Sequence, residues 1–144
     1  MLRELNRVID YIEEHLTDEI SLESVADYAR VSDFHLRKVF FYLSGMTLSE
    51  YIKNRRLSEA NKDLLAGERI IDVAFKYGYE STDGFTRAFK KWSGLLPSDV
   101  IKKKRSKMFP KFSFKIVSFI SPSRFPTLSN APSVVFIQPT DSSI

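Results

Sequence analysis

Nine side chains, gathered at two places in the chain, have chemistry suited to a polyanion. Phe34, Arg37 and Lys38 form the first group, with Asp33 beside them; Thr82, Asp83, Thr86, Arg87, Lys90 and Lys91 form the second. The numbers run in pairs four residues apart, which on a helix gathers the side chains on one flank. Arginine and lysine suit guanine edges or phosphates, and threonine can contact a base or a thymine methyl. Other chemistry lacks material. Cysteine is absent, which removes disulfides, thiolate nucleophiles and cysteine-based zinc sites. The two histidines, His15 and His35, stand in no Ser-His-acid spacing, so neither hydrolytic nor metal catalysis is expected and no catalytic residue, metal or cofactor is assigned. His35 is expected to pack or cap, and His15 to close the first helix near its C-terminus. The chain is not expected to be an enzyme.

The formal net charge of +4 is unevenly spread. Residues 1–31 carry a net −5, residues 32–101 a net +2 and residues 102–144 a net +7, so a basic patch falls near the end of the folded region, where it can attract nucleic acid. No apolar run reaches transmembrane length, and Met1-Leu2-Arg3-Glu4-Leu5 opens no signal-peptide core. A soluble cytoplasmic protein without membrane contact is expected.

The elements that must position the two groups are helices. Leu5, Val8, Ile9, Ile12 and Leu16 recur at helical spacing. Ser21 can cap a second helix with Leu22, Val25, Ala26 and Ala29 inside. Ser32 can cap a third with Leu36, Val39, Phe40 and Leu43 inside, stopped by Gly45. Thr47-Leu48-Ser49-Glu50 is a capping-box pattern that starts the longest helix, to about Ala66. Its apolar stripe shifts. At about 100° per residue, Leu48, Tyr51 and Ile52 cluster within roughly 50–60°, whereas Leu57, Ala60 and Leu64 lie near roughly 120–180°. A helix on one core keeps one stripe; a shifted stripe suits a bridge between two lobes. A fifth helix follows with Ile70, Val73, Ala74 and Tyr77. A sixth opens at Ser81 or Thr82 with Phe85, Ala88, Phe89 and Trp92 inside, and Pro97 opens a short seventh. Five of the six prolines lie between residues 110 and 139, so no long helix is expected there. Phe112 to Ile116 alternates like a strand and Val134 to Ile137 is a second short apolar run, but two strands alone are marginal. Residues 107–144 are expected to be an extended or poorly packed, irregular Pro/Ser-rich tail.

The halves repeat. Leu22, Val25, Ala26 and Ala29 match Ile70, Val73, Ala74 and Tyr77 at an offset of 48. Past the turn, Ser32, Leu36, Lys38, Val39, Phe40, Ser44 and Gly45 match Ser81, Phe85, Arg87, Ala88, Phe89, Ser93 and Gly94 at 49. The second turn therefore holds one extra residue. Helix, short turn, amphipathic helix is the plan of a unit that places its second helix in a major groove. The reading is an all-α fold: a tandem helix-turn-helix domain over residues 1–106, with a first unit over 1–46, a linker helix over 47–66 and a second unit over 67–106. A linker of about 18 residues spans roughly 27 Å, against about 34 Å between successive major grooves. A helical protein-interaction module is the alternative, separable by the salt dependence of binding to duplex DNA.

The motifs resemble those of the AraC/XylS family of bacterial transcription regulators. The matching stretches are S-D-F-H-L-R-K-V-F at 32–40, Y-I-K-N-R-R-L-S-E-A at 51–60, I-I-D-V-A-F-K-Y-G-Y at 70–79, F-T-R-A-F-K-K-W-S-G at 85–94 and L-P-S-D-V at 96–100. The resemblance implies seven helices in two subdomains and a nucleoid-associated monomer on double-stranded DNA, most often an activator that recruits RNA polymerase. Base-reading residues would fall at Phe34, Arg37 and Lys38, and at Thr82, Asp83, Thr86 and Arg87. Three positions depart from the family pattern. Arg30 stands where a turn glycine is common, Phe41 stands where a basic residue is common, and Asp83 would sit near phosphates unless it accepts from a cytosine amino group. In some relatives a ligand-sensing domain follows; Lys111 to Ile120 looks like its approach, and the chain is expected to end too soon to hold one, with none before Met1. Arg56 and Asp72 are expected to pair, and Lys53 and Arg55 to be solvated or phosphate-facing.

Overall fold

The computed structural model describes residues 1–116 and 135–139; the proline- and serine-rich stretches at 117–134 and 140–144 lie outside the described residues. Among the described residues the chain forms seven helices: α1 (Leu2–Glu14), α2 (Leu22–Ala29), α3 (Asp33–Ser44), α4 (Leu48–Leu65), α5 (Ile70–Lys76), α6 (Thr82–Ser93) and α7 (Pro97–Lys103). Their starts follow from local chemistry. The hydroxyls of Ser21, Ser32 and Ser81 each accept from the N–H three residues on, at 3.2, 3.1 and 3.1 Å. In α4 the cap is reciprocal: the Glu50 N–H donates to Thr47 Oγ1 at 3.1 Å, and the Thr47 N–H donates to Glu50 Oε2 at 2.8 Å. Each such cap contributes about 1 kcal/mol. Gly45 and Gly94 end α3 and α6 in the left-handed conformation, as equivalent positions should.

Two cores form, and α4 belongs to both. Leu48, Tyr51 and Ile52 pack with Leu5, Val8, Ile9, Ile12, Val25, Leu36 and Phe40; Leu57, Ala60 and Leu64 pack with Val73, Ala74, Phe85, Phe89 and Val100. The shifted stripe is thus a helix buried on one side in its first half and on another in its second.

The two turns share one backbone design. Val31 N–H donates to Ala26 O at 3.1 Å, and Tyr79 N–H donates to Ala74 O at 3.0 Å, across an αL residue in each case. That residue is Arg30 in the first unit, with φ 58° and ψ 42°, and Gly78 in the second, with φ 86°. The offset of 48 holds through Tyr79, so Glu80 is the residue inserted before the Ser81 cap.

The start of the tail takes the extended alternative and joins the first core. Residues 109–114 are extended but not poorly packed: Phe114 is 2% exposed within the first core, with Phe109 and Phe112 against it. Phe112–Ile116 forms β1 and Val135–Pro139 forms β2, an antiparallel pair in which Phe114 stands opposite Ile137. A two-stranded ribbon is marginal alone; here β1 gains a face on α1. Asn6 supplies edge partners, accepting from the Phe114 N–H at 2.8 Å and donating to its carbonyl at 2.9 Å. The first unit is therefore completed by residues that lie more than sixty positions beyond its third helix.

Candidate nucleic-acid interface

The exposed flank of α3 exists because its opposite flank is committed: Leu36 and Phe40 are buried, which turns Phe34, Arg37 and Lys38 outward. Phe34 is 75% exposed, a large apolar ring in water. Lys38 Nζ lies 5.9 Å from its centroid, a cation–π contact that extends the lysine along the flank. Arg37 Nε donates to Asp33 Oδ1 at 2.8 Å one turn back. The Asp33 carboxylate holds the Arg37 guanidinium above its ordinary pKa through this hydrogen bond.

In α6 the buried pair is Phe85 and Phe89, and Asp83, Arg87, Lys90 and Lys91 are exposed, with Thr82 and Thr86 half-buried. Sequence and structure agree on the flank. They do not make its members equal. Lys91 lines an open groove between the units with Met46, Glu50, Lys53, Asn54 and Trp92, whereas Lys90 does not. Thr82 and Thr86 occupy the positions that Asp33 and Arg37 hold in α3, so the first unit carries an ion pair where the second carries two hydroxyls. Phe41, at the position where a basic residue is common, is 54% exposed.

Three expected roles are corrected. Arg55 is not solvated or phosphate-facing but 5% exposed: Nε and Nη2 donate to the Glu13 carboxylate at 2.6 and 2.8 Å, Nη2 to Glu59 at 2.9 Å, and Nη1 to the Phe109 carbonyl. Burial works against its charge, and Glu13 more than compensates, leaving the guanidinium above its ordinary range. Helix arithmetic held the signal, because Arg55 lies four residues from Tyr51 on the same stripe. Arg56 does not pair with Asp72. It donates to the carbonyls of Leu16 and Asp18 at 2.9 and 2.7 Å, tying the linker to the loop after α1, while Asp72 pairs with Arg69 at 2.7 Å. His35 neither packs nor caps with its ring; it is exposed, and only its backbone N–H meets the Ser32 cap. Lys53 is exposed, as expected. His15 closes α1 with Nδ1 2.7 Å from Tyr11 O and its ring stacked on Tyr11. Among the described residues no acidic and histidine cluster could hold a metal, and no helix is long and apolar enough to cross a membrane.

Two cationic flanks on two copies of one turn, held by a shared rod, define a tandem helix-turn-helix protein. A family model described as a helix-turn-helix domain matches residues 25–103. The HTH-type transcriptional activator AarP of Providencia stuartii is 37% identical over 95 residues, 65% of this chain and 70% of that protein. An AraC-type regulator from Chromobacterium violaceum superposes with a TM-score of 0.68 at 20% identity, over 72% of this chain and 94% of that one. The DNA-binding domain of AdpA, solved in complex with a target DNA, superposes with a TM-score of 0.64 at 22% identity, over 71% and 93% of the two chains. The chain belongs to the AraC-type family of helix-turn-helix transcription regulators, proteins that are not enzymes.

Proposed function

We propose that the chain binds duplex DNA sequence-specifically as a monomer, with α3 and α6 in successive major grooves, and activates transcription from there by recruiting RNA polymerase in the cytoplasm, at the nucleoid. The observation that carries this reading is the linker: α4, with 18 residues, is embedded by one half in each core, so both cationic flanks are fixed to one rod. Its length, roughly 27 Å, is of the order of the 34 Å between neighbouring major grooves. AarP carries the name of an activator, which favours activation over repression here.

Phe34, Arg37 and Lys38 would read the first half-site and Thr82, Asp83, Thr86 and Arg87 the second, with Lys90 and Lys91 on phosphates. Selection of bound duplexes from a random pool, followed by salt titration on the selected sequence, tests the reading. An enriched site of two half-sites and a steep fall in affinity with salt are expected, because neutralised phosphates release counterions. Binding that is indifferent to salt, or a pool that yields no preferred sequence, would overturn it. Titrating the selected duplex with protein well above the dissociation constant gives the stoichiometry, expected at one chain per duplex.

A further inference from the structure

The linker helix is not the sole connection between the two units. After α7 the chain reverses and runs alongside α4 in the opposite direction. Lys107 is anchored on the second unit: Nζ donates to the Trp92 carbonyl at 2.6 Å and lies 5.1 Å from the Trp92 ring. The Phe109 N–H then donates to Ser58 Oγ at 2.9 Å, while its carbonyl accepts from Arg55. The Phe112 N–H donates to Tyr51 Oη at 3.1 Å, and Phe114 closes on Asn6 with its ring in the first core. The linker partners are met in descending order, 58, 55 and 51, as the tail ascends. Lys111 adds an ion pair to Asp10 of α1 at 2.6 Å.

These contacts have a mechanical consequence. Two lobes joined by one helix can twist or bend against each other wherever that helix frays; a second, antiparallel connection gripped at both ends opposes that motion. The grip is specific, since the backbone N–H groups of Phe109, Phe112 and Phe114 meet side-chain acceptors on the linker and on α1. For a protein that reads two half-sites, a fixed relation between the readers raises the effective concentration of the second after the first has bound, and restricts which separations can be bridged.

We propose that residues 104–114 form a strap that locks the two recognition helices relative to one another and so sets the half-site spacing the protein accepts. The spacing consequence rests on the two-groove reading; the mechanical one does not. The test uses the full chain carrying Lys107→Ala and Asn6→Ala together, which removes the anchor on the second unit and the edge bonds to Phe114 without emptying the core, and Phe114→Ala, which also takes the strap's ring out of the first core, as the stronger variant. Binding is measured to the selected site, to the same site with one or two base pairs inserted between half-sites, and to a single half-site. The double variant is expected to bind the single half-site as the parent does, the natural spacing about tenfold more weakly, and the altered spacings with flattened discrimination. A spacing profile identical to the parent's in both variants would overturn the proposal.

Because the chain has no cysteine, Ser24→Cys and Ile71→Cys can carry a pair of spin labels on exposed positions of α2 and α5. Without DNA, the distance distribution between them should broaden when the strap is released; an unchanged width would overturn the strap itself. A parent protein that binds no duplex would instead overturn the two-groove reading, leaving the label measurement to judge the mechanics.

Discussion

Arg87 and Lys90 sit one turn apart on the same exposed flank, and the proposed reading gives them different work. A guanidinium can bond guanine O6 and N7 together, whereas an ammonium is a point charge suited to phosphate. Arg87→Ala should therefore cost about 1–3 kcal/mol on the selected site and relax preference at one base position. Lys90→Ala should weaken all sequences alike and flatten the salt slope by about one unit. Parallel losses for the two variants across a panel of single-base changes would contradict the assignment. Arg30 offers a test of stability. Its αL backbone costs a residue with a side chain about 1–2 kcal/mol, and the equivalent turn of the second unit uses Gly78. Arg30→Gly should raise stability by about 0.5–1 kcal/mol once the extra freedom of glycine in the unfolded chain is subtracted; urea unfolding measures it, and a loss would show that the Arg30 side chain matters more than its backbone.

The tyrosines make stability depend on alkaline pH. Burial pushes the Tyr51 phenol above its ordinary value of 10.0, and burial together with the hydrogen bond to Asp63 at 2.6 Å does the same for Tyr77. A folded pKa above the unfolded one means the native state holds the proton more tightly. The associated stability is complete below about pH 10 and is lost as pH rises beyond it, by about 1.4 kcal/mol per pH unit for each tyrosine. Burial raises the Tyr79 phenol as well, so urea midpoints should be level below that range and fall above it, with Tyr77→Phe reducing the slope by about a third or less. A midpoint level through about pH 11 would contradict this.

At the scale of elements, α4 repays attention to its polar residues. The buried Arg55 joins the half-buried Glu13 of α1 and Glu59 of its own helix to the strap in one knot. Removing one member strands the others: Arg55→Ala should cost about 3 kcal/mol, because Glu13 loses its counter-charge, whereas Arg56→Ala should cost about 1–2 kcal/mol for two carbonyl contacts. Equal and small losses would mean the knot is solvated. The helices were legible in the sequence because their signals are local. Ser21, Ser32, Thr47 and Ser81 mark starts, Gly45 and Gly94 mark ends, and the stripe shift between Ile52 and Leu57 shows two cores. The strap was not legible, because what stabilises it is distant. Nothing near Phe114 in sequence announces that Asn6 will serve as its strand partner, and a strand without a visible sheet reads as marginal. Arg55 was misjudged for a related reason: a charge is assumed to be outside unless its partners can be seen, and Glu13 lies 42 positions away. The exposed flanks of α3 and α6 were legible as exposed, since each follows from two buried positions in its own helix.

At the scale of the whole molecule, everything depends on whether two similar units on one rod face the same side of a double helix. Each unit alone offers a short cationic flank with few contacts; on the proposed reading, the two held apart at a fixed distance would gain the affinity of a bivalent reader. A hydroxyl-radical footprint on the selected duplex measures this directly. Two protected patches on one face, centred about 10 base pairs apart, are the result expected of α3 and α6 engaged together. A single patch, or two patches on opposite faces, would contradict it.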